Sequence, residues 1–353
     1  MPFVKIFLGL ALFVASHATP FHNAVLAQDS LKPKNAITIL DSGRQVSLRG
    51  LSVVSDQVIW ASGSNGMVAR STNGGEHFEW TQVPGYEQRD FRDIEAFSAK
   101  TALLMAIAAP AVILRTTDGG KTWKPVLTDS TPGMFLDAMY FDGANGTVVG
   151  DPVNGKIYLA NTSDSGKTWT KQTEQLPDTD EGEAFFASSG TNLHSLRNNR
   201  YAMALVTGGK RARLLLLPHH RQETTVARPL PLLKQGAEST GANSIAIAGL
   251  QAVITGGDFM HPQDTTGNCI FTENGGDHWK KPAIPPNGYR SCVIYYDFRR
   301  LLTCGLNGVD ISIDGGQHWQ PVSKEGFHVA QKSRSGKMVF LAGGRGKIAR
   351  WMP

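Results

Sequence analysis

The sequence predicts an all-β fold, a seven-bladed β-propeller whose ring is closed by an N-terminal strand joining the C-terminal blade. Three observations carry this. An eight-residue frame, Thr116-Thr117-Asp118-Gly119-Gly120-Lys121-Thr122-Trp123, returns as Ser71 to Phe78, Thr162 to Trp169, Thr272 to Trp279 and Ser312 to Trp319. Its closing aromatics lie 45, 46, 110 and 40 residues apart, which is blade spacing with one frame lost in the long interval. The chain is also rich in glycine, with 38, and only 18% charged, as suits many strands joined by tight turns.

The frame reads as the corner of a hairpin. A short acidic or amide side chain can bond backbone amides ahead of it, and the glycines supply positive φ angles that other residues resist. Alternating apolar residues precede each corner, such as Val112 and Leu114 before Asp118, and an aromatic follows. On this pattern Asp118, Asp164 and Asp314 are structural residues rather than catalytic ones.

The blades follow in order. A stray strand at 36–40 precedes a first unit at 46–84, then units at 90–127 and 134–176. The interval 183–232 is a degenerate fourth blade, with Pro218-His219-His220-Arg221 where a frame is expected. Blade 5 (242–284) carries an insertion, 258–268, and blade 6 (289–322) is the most compact. The remainder, 326–351, supplies three strands, and the strand at 36–40 completes that sheet, leaving no exposed edge.

At the amino terminus, Lys5 and the apolar run Ile6 to Val14 resemble a secretory signal peptide ending at Ala18 or, as favoured here, at Ala27. The expectation is a leader at 1–27, a single domain at 28–353, and a periplasmic or extracellular home. Of the three cysteines, Cys292 and Cys304 flank a hairpin turn and can meet across strands, whereas Cys269 has no evident partner. The net charge of +5 is too mild and dispersed for nucleic acid. No cofactor or metal is expected, since adjacent His219 and His220 suit a solvated turn, and no segment is long enough to span a membrane. A monomer is expected.

If the frames share one face, the links between blades open on the other, around the central channel. Residues leading into the inner strands include Arg49, Arg92, Asp93, Asp137, Glu183, Tyr289, Arg290 and His328, and second strands end at Asp151 and Asp258. These ten form the candidate ligand- or partner-binding surface. Two readings stand: a solvated channel with internal ion pairs, or a mixed-charge cup in which planar guanidinium groups hold carboxylates.

The frame resembles the Asp-box, or BNR, repeat of sialidases and of many non-catalytic propellers. Together with the phrases Phe91-Arg92-Asp93-Ile94, Phe135-Leu136-Asp137-Ala138 and Gly288-Tyr289-Arg290-Ser291, the chain resembles the photosystem II stability/assembly-factor-like propellers across nearly its whole mature length. That resemblance implies a non-catalytic, assembly-assisting scaffold that binds a protein through an arginine-rich surface, with Arg49, Arg92 and Arg290 standing for part of it. Acidic Asp93, Asp137, Asp151, Glu183 and Asp258 interleave with these arginines, a departure from the family pattern. The alternative is a sialidase-like exo-glycosidase acting on a small acidic or carbohydrate ligand. In that reading Asp137 and Glu183 supply acid and base and Tyr289 the nucleophile.

Overall fold

A computed structural model describes residues 37–352 apart from 109, 175, 197–199 and 220–222. The leader at 1–27 and His220 lie outside the described residues. The strands form seven antiparallel sheets set around a channel. The first strand of every sheet touches the first strand of the next, and the seventh touches the first, so the ring is closed.

Blade 1 comprises Leu48–Val53, Ile59–Gly63, Met67–Ser71 and Glu79–Gln82, in that order from channel to rim. Blade 2 (Phe91–Ala96 to Lys124–Asp129), blade 3 (Leu136–Asp142 to Thr170–Lys171) and blade 6 (Cys292–Asp297 to Gln320–Ser323) repeat the pattern. Blade 7 runs Val329–Lys332, Val339–Ala342, Ile348–Trp351 and then Ile37–Asp41, which pairs antiparallel with the third strand from Ile37 opposite Trp351. The predicted closure is therefore present.

Blade 4 begins at Leu193–Ser195 and continues through Tyr201–Val206, Arg213–Pro218 and Val226–Pro229. Glu183 does not lead into it, which corrects the sequence-based placement. Glu183–Ala184 pairs with Gly208–Gly209, and this short ladder extends the sheet of blade 5 (Thr240–Ala248, Gln251–Asp258, Cys269–Thr272).

Each of the five frames folds into the same corner. The first hydroxyl accepts from the amide of the second glycine position: Ser71 from Gly75 at 2.9 Å, Thr116 from Gly120 at 3.0 Å, Thr162 from Gly166 at 3.1 Å. It also donates to the acidic or amide side chain, as Thr116 does to Asp118 at 2.8 Å. That side chain in turn accepts from the amide four residues on, as Asp118 does from Thr122 at 3.0 Å. Gly119 and Gly120 take φ of 82° and 83°, a region that L side chains resist.

The amide after the acidic position donates to the first hairpin of the same blade, as Gly119 does to Lys100 and Gly315 to Arg299, which fixes corners and hairpins on one face. Corners also reach the preceding blade. Gly120 lies against Trp60 and Gly316 against Val253, so a side chain there would press on the preceding blade. Trp60 meets Trp123 edge to face at 6.4 Å.

Inner strands are stitched blade to blade by buried polar side chains. Ser52 accepts from the Ala96 amide at 2.9 Å, Asp93 from Met139 at 2.6 Å, and Ser244 from Val293 at 2.9 Å. The Cys292 thiol bonds the Ala330 backbone. Cys292 stands directly opposite Cys304, as the hairpin reading expects, yet all three cysteines are buried free thiols.

Candidate functional site

Corners and first hairpins occupy one face, so the starts of the inner strands and the ends of the second strands open on the other. There the register slips. Leu48 pairs with Gly63 but Gly50 with Ser62, and the same one-residue bulge falls at Arg92, Asp137 and Asn243. A bulge re-aims the extra side chain out of the sheet's alternation. Glycines opposite permit it: a methyl group at Gly63, Gly150 or Gly256 would strike the carbonyl of Ser47, Phe135 or Gly241.

Arg49, Arg92, Asp151, Asn243 and Tyr289 thus line one cavity of about 380 Å³ at the mouth. Arg92 donates to Asp90 at 2.8 Å and lies over the Phe135 ring, so its charge is matched. Arg49 makes no hydrogen bond or ion pair among the described residues. Burial and the neighbouring Arg92 lower its pKa from the ordinary arginine value. Asp90 acts on it in the opposite sense, but no ion pair closes on it among the described residues.

His328, from blade 7, is held neutral. Burial and the Arg49 charge bring it down to about 4, and its Nδ1–H donates to the Leu48 carbonyl at 2.8 Å. Asp151 accepts from the Phe185 amide at 2.9 Å, and burial lifts it to about 6. Asp137 is fully buried behind the cavity, pushed well up by burial and by Asp151, and neither oxygen closes a hydrogen bond. Asp93, raised to about 8 by burial and by Glu95, serves the seam with blade 3.

Three expected site residues are engaged elsewhere. Arg290 is 1% exposed, and its guanidinium is consumed by Asp310 at 2.6 Å, Asn307 at 2.6 Å and the Tyr289 carbonyl at 2.8 Å. The Glu183 side chain is fully buried and accepts two bonds from Arg213, at 2.8 and 2.6 Å, and one from Thr207. Asp258 anchors the insertion: burial opposes its ionisation, but bonds from His261 at 2.8 Å, from Ser239 and from the Met260 amide at 3.0 Å bring it down to about 2.

Tyr289 donates to Asn243 at 2.8 Å, and burial pushes its phenol upward, away from easy ionisation. Tyr289, Asp137 and Glu183, the trio a glycosidase would need, are therefore each closed from solvent or bound to a partner.

The sequence reading missed an aromatic ledge. Phe259, from the insertion, meets Tyr289 edge to face at 6.3 Å and Phe186 at 6.0 Å. Phe259 and Leu306 stand exposed at the rim, at 37% and 42%. The insertion's Pro262 carbonyl accepts from the Tyr289 amide at 2.9 Å and from Asn307 at 2.8 Å, which fixes the ledge to blade 6. An insertion in a repeat was the available signal.

A larger cavity, about 860 Å³, lies between blades 4 and 5 on the corner face, walled mainly by Leu214, Leu216, Ile245 and Ile247. None of the mouth charges lines it. Among the described residues no group of three or more His, Cys, Asp or Glu is placed to hold a metal, and no helix is long and apolar enough to cross a membrane.

Comparison with known proteins agrees with this architecture. No curated protein matches the chain in sequence. Solved structures match over most of its length. YCF48 bound to D1 peptide aligns with a TM-score of 0.64 at 14% identity, covering 91% of this chain and 96% of its own. YCF48 from Cyanidioschyzon merolae aligns at 0.63 and 18% identity, covering 90% and 99%. The Neurospora crassa Pan2 WD40 domain aligns at 0.59 and 14%, covering 90% and 95%. The BNR/Asp-box repeat family matches residues 114–125, the corner of blade 2, so the chain is a propeller that carries this repeat and shares its fold with YCF48.

Proposed function

We propose that this propeller is a non-catalytic binding scaffold, exported by its amino-terminal leader, that captures a segment of a protein partner at the mouth opposite the Asp-box corners. One observation carries the reading: Arg49 lies unpaired in a cup, next to Arg92, whose charge Asp90 matches, and beside an exposed aromatic ledge. Arg49 is half-buried and opens onto the cup, so a ligand carboxylate can reach it and supply the ion pair that no described side chain closes. The fold it shares with YCF48, solved with a bound peptide, supports the same use.

The test is photo-crosslinking from two exposed positions, Leu306 at the mouth and Ile313 on the corner face. A discrete partner is expected from position 306 and lost when Arg49→Ala is added. Equal crosslinking from position 313, or indifference to Arg49, would refute the assignment.

A further inference from the structure

The mouth holds a small cup. Tyr289 and Ser188 both donate to Asn243 Oδ1, at 2.8 and 3.1 Å, and these three side chains line its floor. Beneath them Ser189 donates to the Ser291 carbonyl at 2.7 Å and bonds Thr191 at 2.6 Å, which bonds Ser244 at 2.7 Å. This network of hydroxyls ties the segment entering blade 4 to blades 5 and 6 below the cup.

The volume, about 380 Å³, equals roughly a dozen waters, whereas a helix with side chains is about 10–12 Å across. There is room for one residue and its polar end group. What that group is follows from charge. Arg92 is matched by Asp90, Arg290 by Asp310, and His328 is neutral, which leaves Arg49 as the guanidinium without an ion pair. Asp151 also lines the cup, with its Oδ1 held by the Phe185 amide. Next to Arg49 lie the edges of Phe186, Phe259 and Tyr289, an apolar seat.

We infer that the mouth reads the free C-terminus of a partner chain, with Arg49 holding the terminal carboxylate and the Phe186–Phe259–Tyr289 ledge taking the last, apolar side chain. This rests on the scaffold reading above. Planar bidentate donors suit a carboxylate, and capture of a chain end is an established mode of peptide recognition. An internal Asp or Glu would have to bring two flanking backbone segments over a rim already occupied by Phe259 and Leu306.

The experiment pans the protein against two random heptapeptide libraries, one displayed with free C-termini and one with C-termini joined to the carrier, then resynthesises the winners as acids and amides. Enrichment is expected from the free-end library alone, with an apolar last residue and at least tenfold weaker binding by the amide. Arg49→Gln should abolish the difference between acid and amide. Phe259→Ala should weaken both forms by a similar factor and keep their ratio. No enrichment, or an acid preference that survives Arg49→Gln, overturns the inference. Enrichment from the blocked library that still depends on Arg49 overturns it too, yet leaves the scaffold reading standing; peptides indifferent to Arg49 would remove both.

Discussion

Arg290 and Asp310 form a closed ion pair inside blade 6, Nε to Oδ2 at 2.6 Å, with each side chain 1% exposed. Burial raises Asp310, and the guanidinium works against that rise. Removing one member of such a pair strands the other in a medium that solvates it poorly.

Arg290→Ala is therefore expected to destabilise the protein by about 3–5 kcal/mol in denaturant unfolding, as broken buried pairs do. Arg49→Ala should change stability little. A neutral Arg290→Ala would show that the pair contributes nothing to folding and would return this arginine to the set of candidate ligand contacts.

The corner makes a chemical demand that substitution can separate. Thr116 is 1% exposed, and its hydroxyl is the acceptor for the buried Gly120 amide. Thr116→Ala should cost roughly 1–3 kcal/mol by leaving that amide unsatisfied, while Thr116→Ser should retain most stability, because Ser fills the same place at 71 and 312. Equal melting temperatures for the two variants would count against the hydroxyl's role.

Stability should fall as pH rises from about 4 to 8, with His328, held down to about 4, working the other way only below about 6.5. Asp93 at about 8, Glu95 at about 7 and Asp151 at about 6 all titrate above an unfolded carboxyl, principally because they are buried. In that window the folded state holds protons that the unfolded state has released, so the stability present at low pH is lost through each folded pKa. Asp151→Asn, which keeps the acceptor for Phe185, should gain on the order of 2 kcal/mol at pH 7 and flatten the profile between pH 4 and 6. A profile unchanged by the substitution would mean that Asp151 ionises as freely folded as unfolded.

Thiol titration tests the cysteine arrangement. Cys269, Cys292 and Cys304 are each at most 2% exposed, and burial pushes Cys269 and Cys304 upward, so the native protein should react with a thiol reagent only over its unfolding time. In denaturant without reductant all three should react. A count of one would reveal a bridge between Cys292 and Cys304.

The corners were legible in the sequence because their chemistry is local: hydroxyl, carboxylate and glycine bond within eight residues, so spacing alone showed the blades. The site was legible only in part. A strand's side chains alternate, and a one-residue slip changes the face. Arg49 and Arg92 fall on the bulge and line the mouth, whereas Asp137 on the same bulge is buried behind it; in blade 6 Cys292 pairs with Cys304, the residue before it is Ser291, and its neighbour Arg290 turns into the blade. Glu183 misled for another reason. Its strand pairs across a seam with glycines 208 and 209, a contact no local pattern signals. The aromatic ledge joins Phe186, Phe259 and Tyr289, which are distant in sequence and meet only once the ring exists.

The shared seventh sheet has a consequence for biosynthesis. Ile37–Asp41 leaves the ribosome before any of its partners, and its unpaired amides and carbonyls must wait for Ile348–Trp351 to emerge. Six blades can gather cotranslationally, but the circle can be locked only after translation has passed the seventh. Until then two raw borders stay open, and any factor that shields a nascent edge has its work cut out at this one seam.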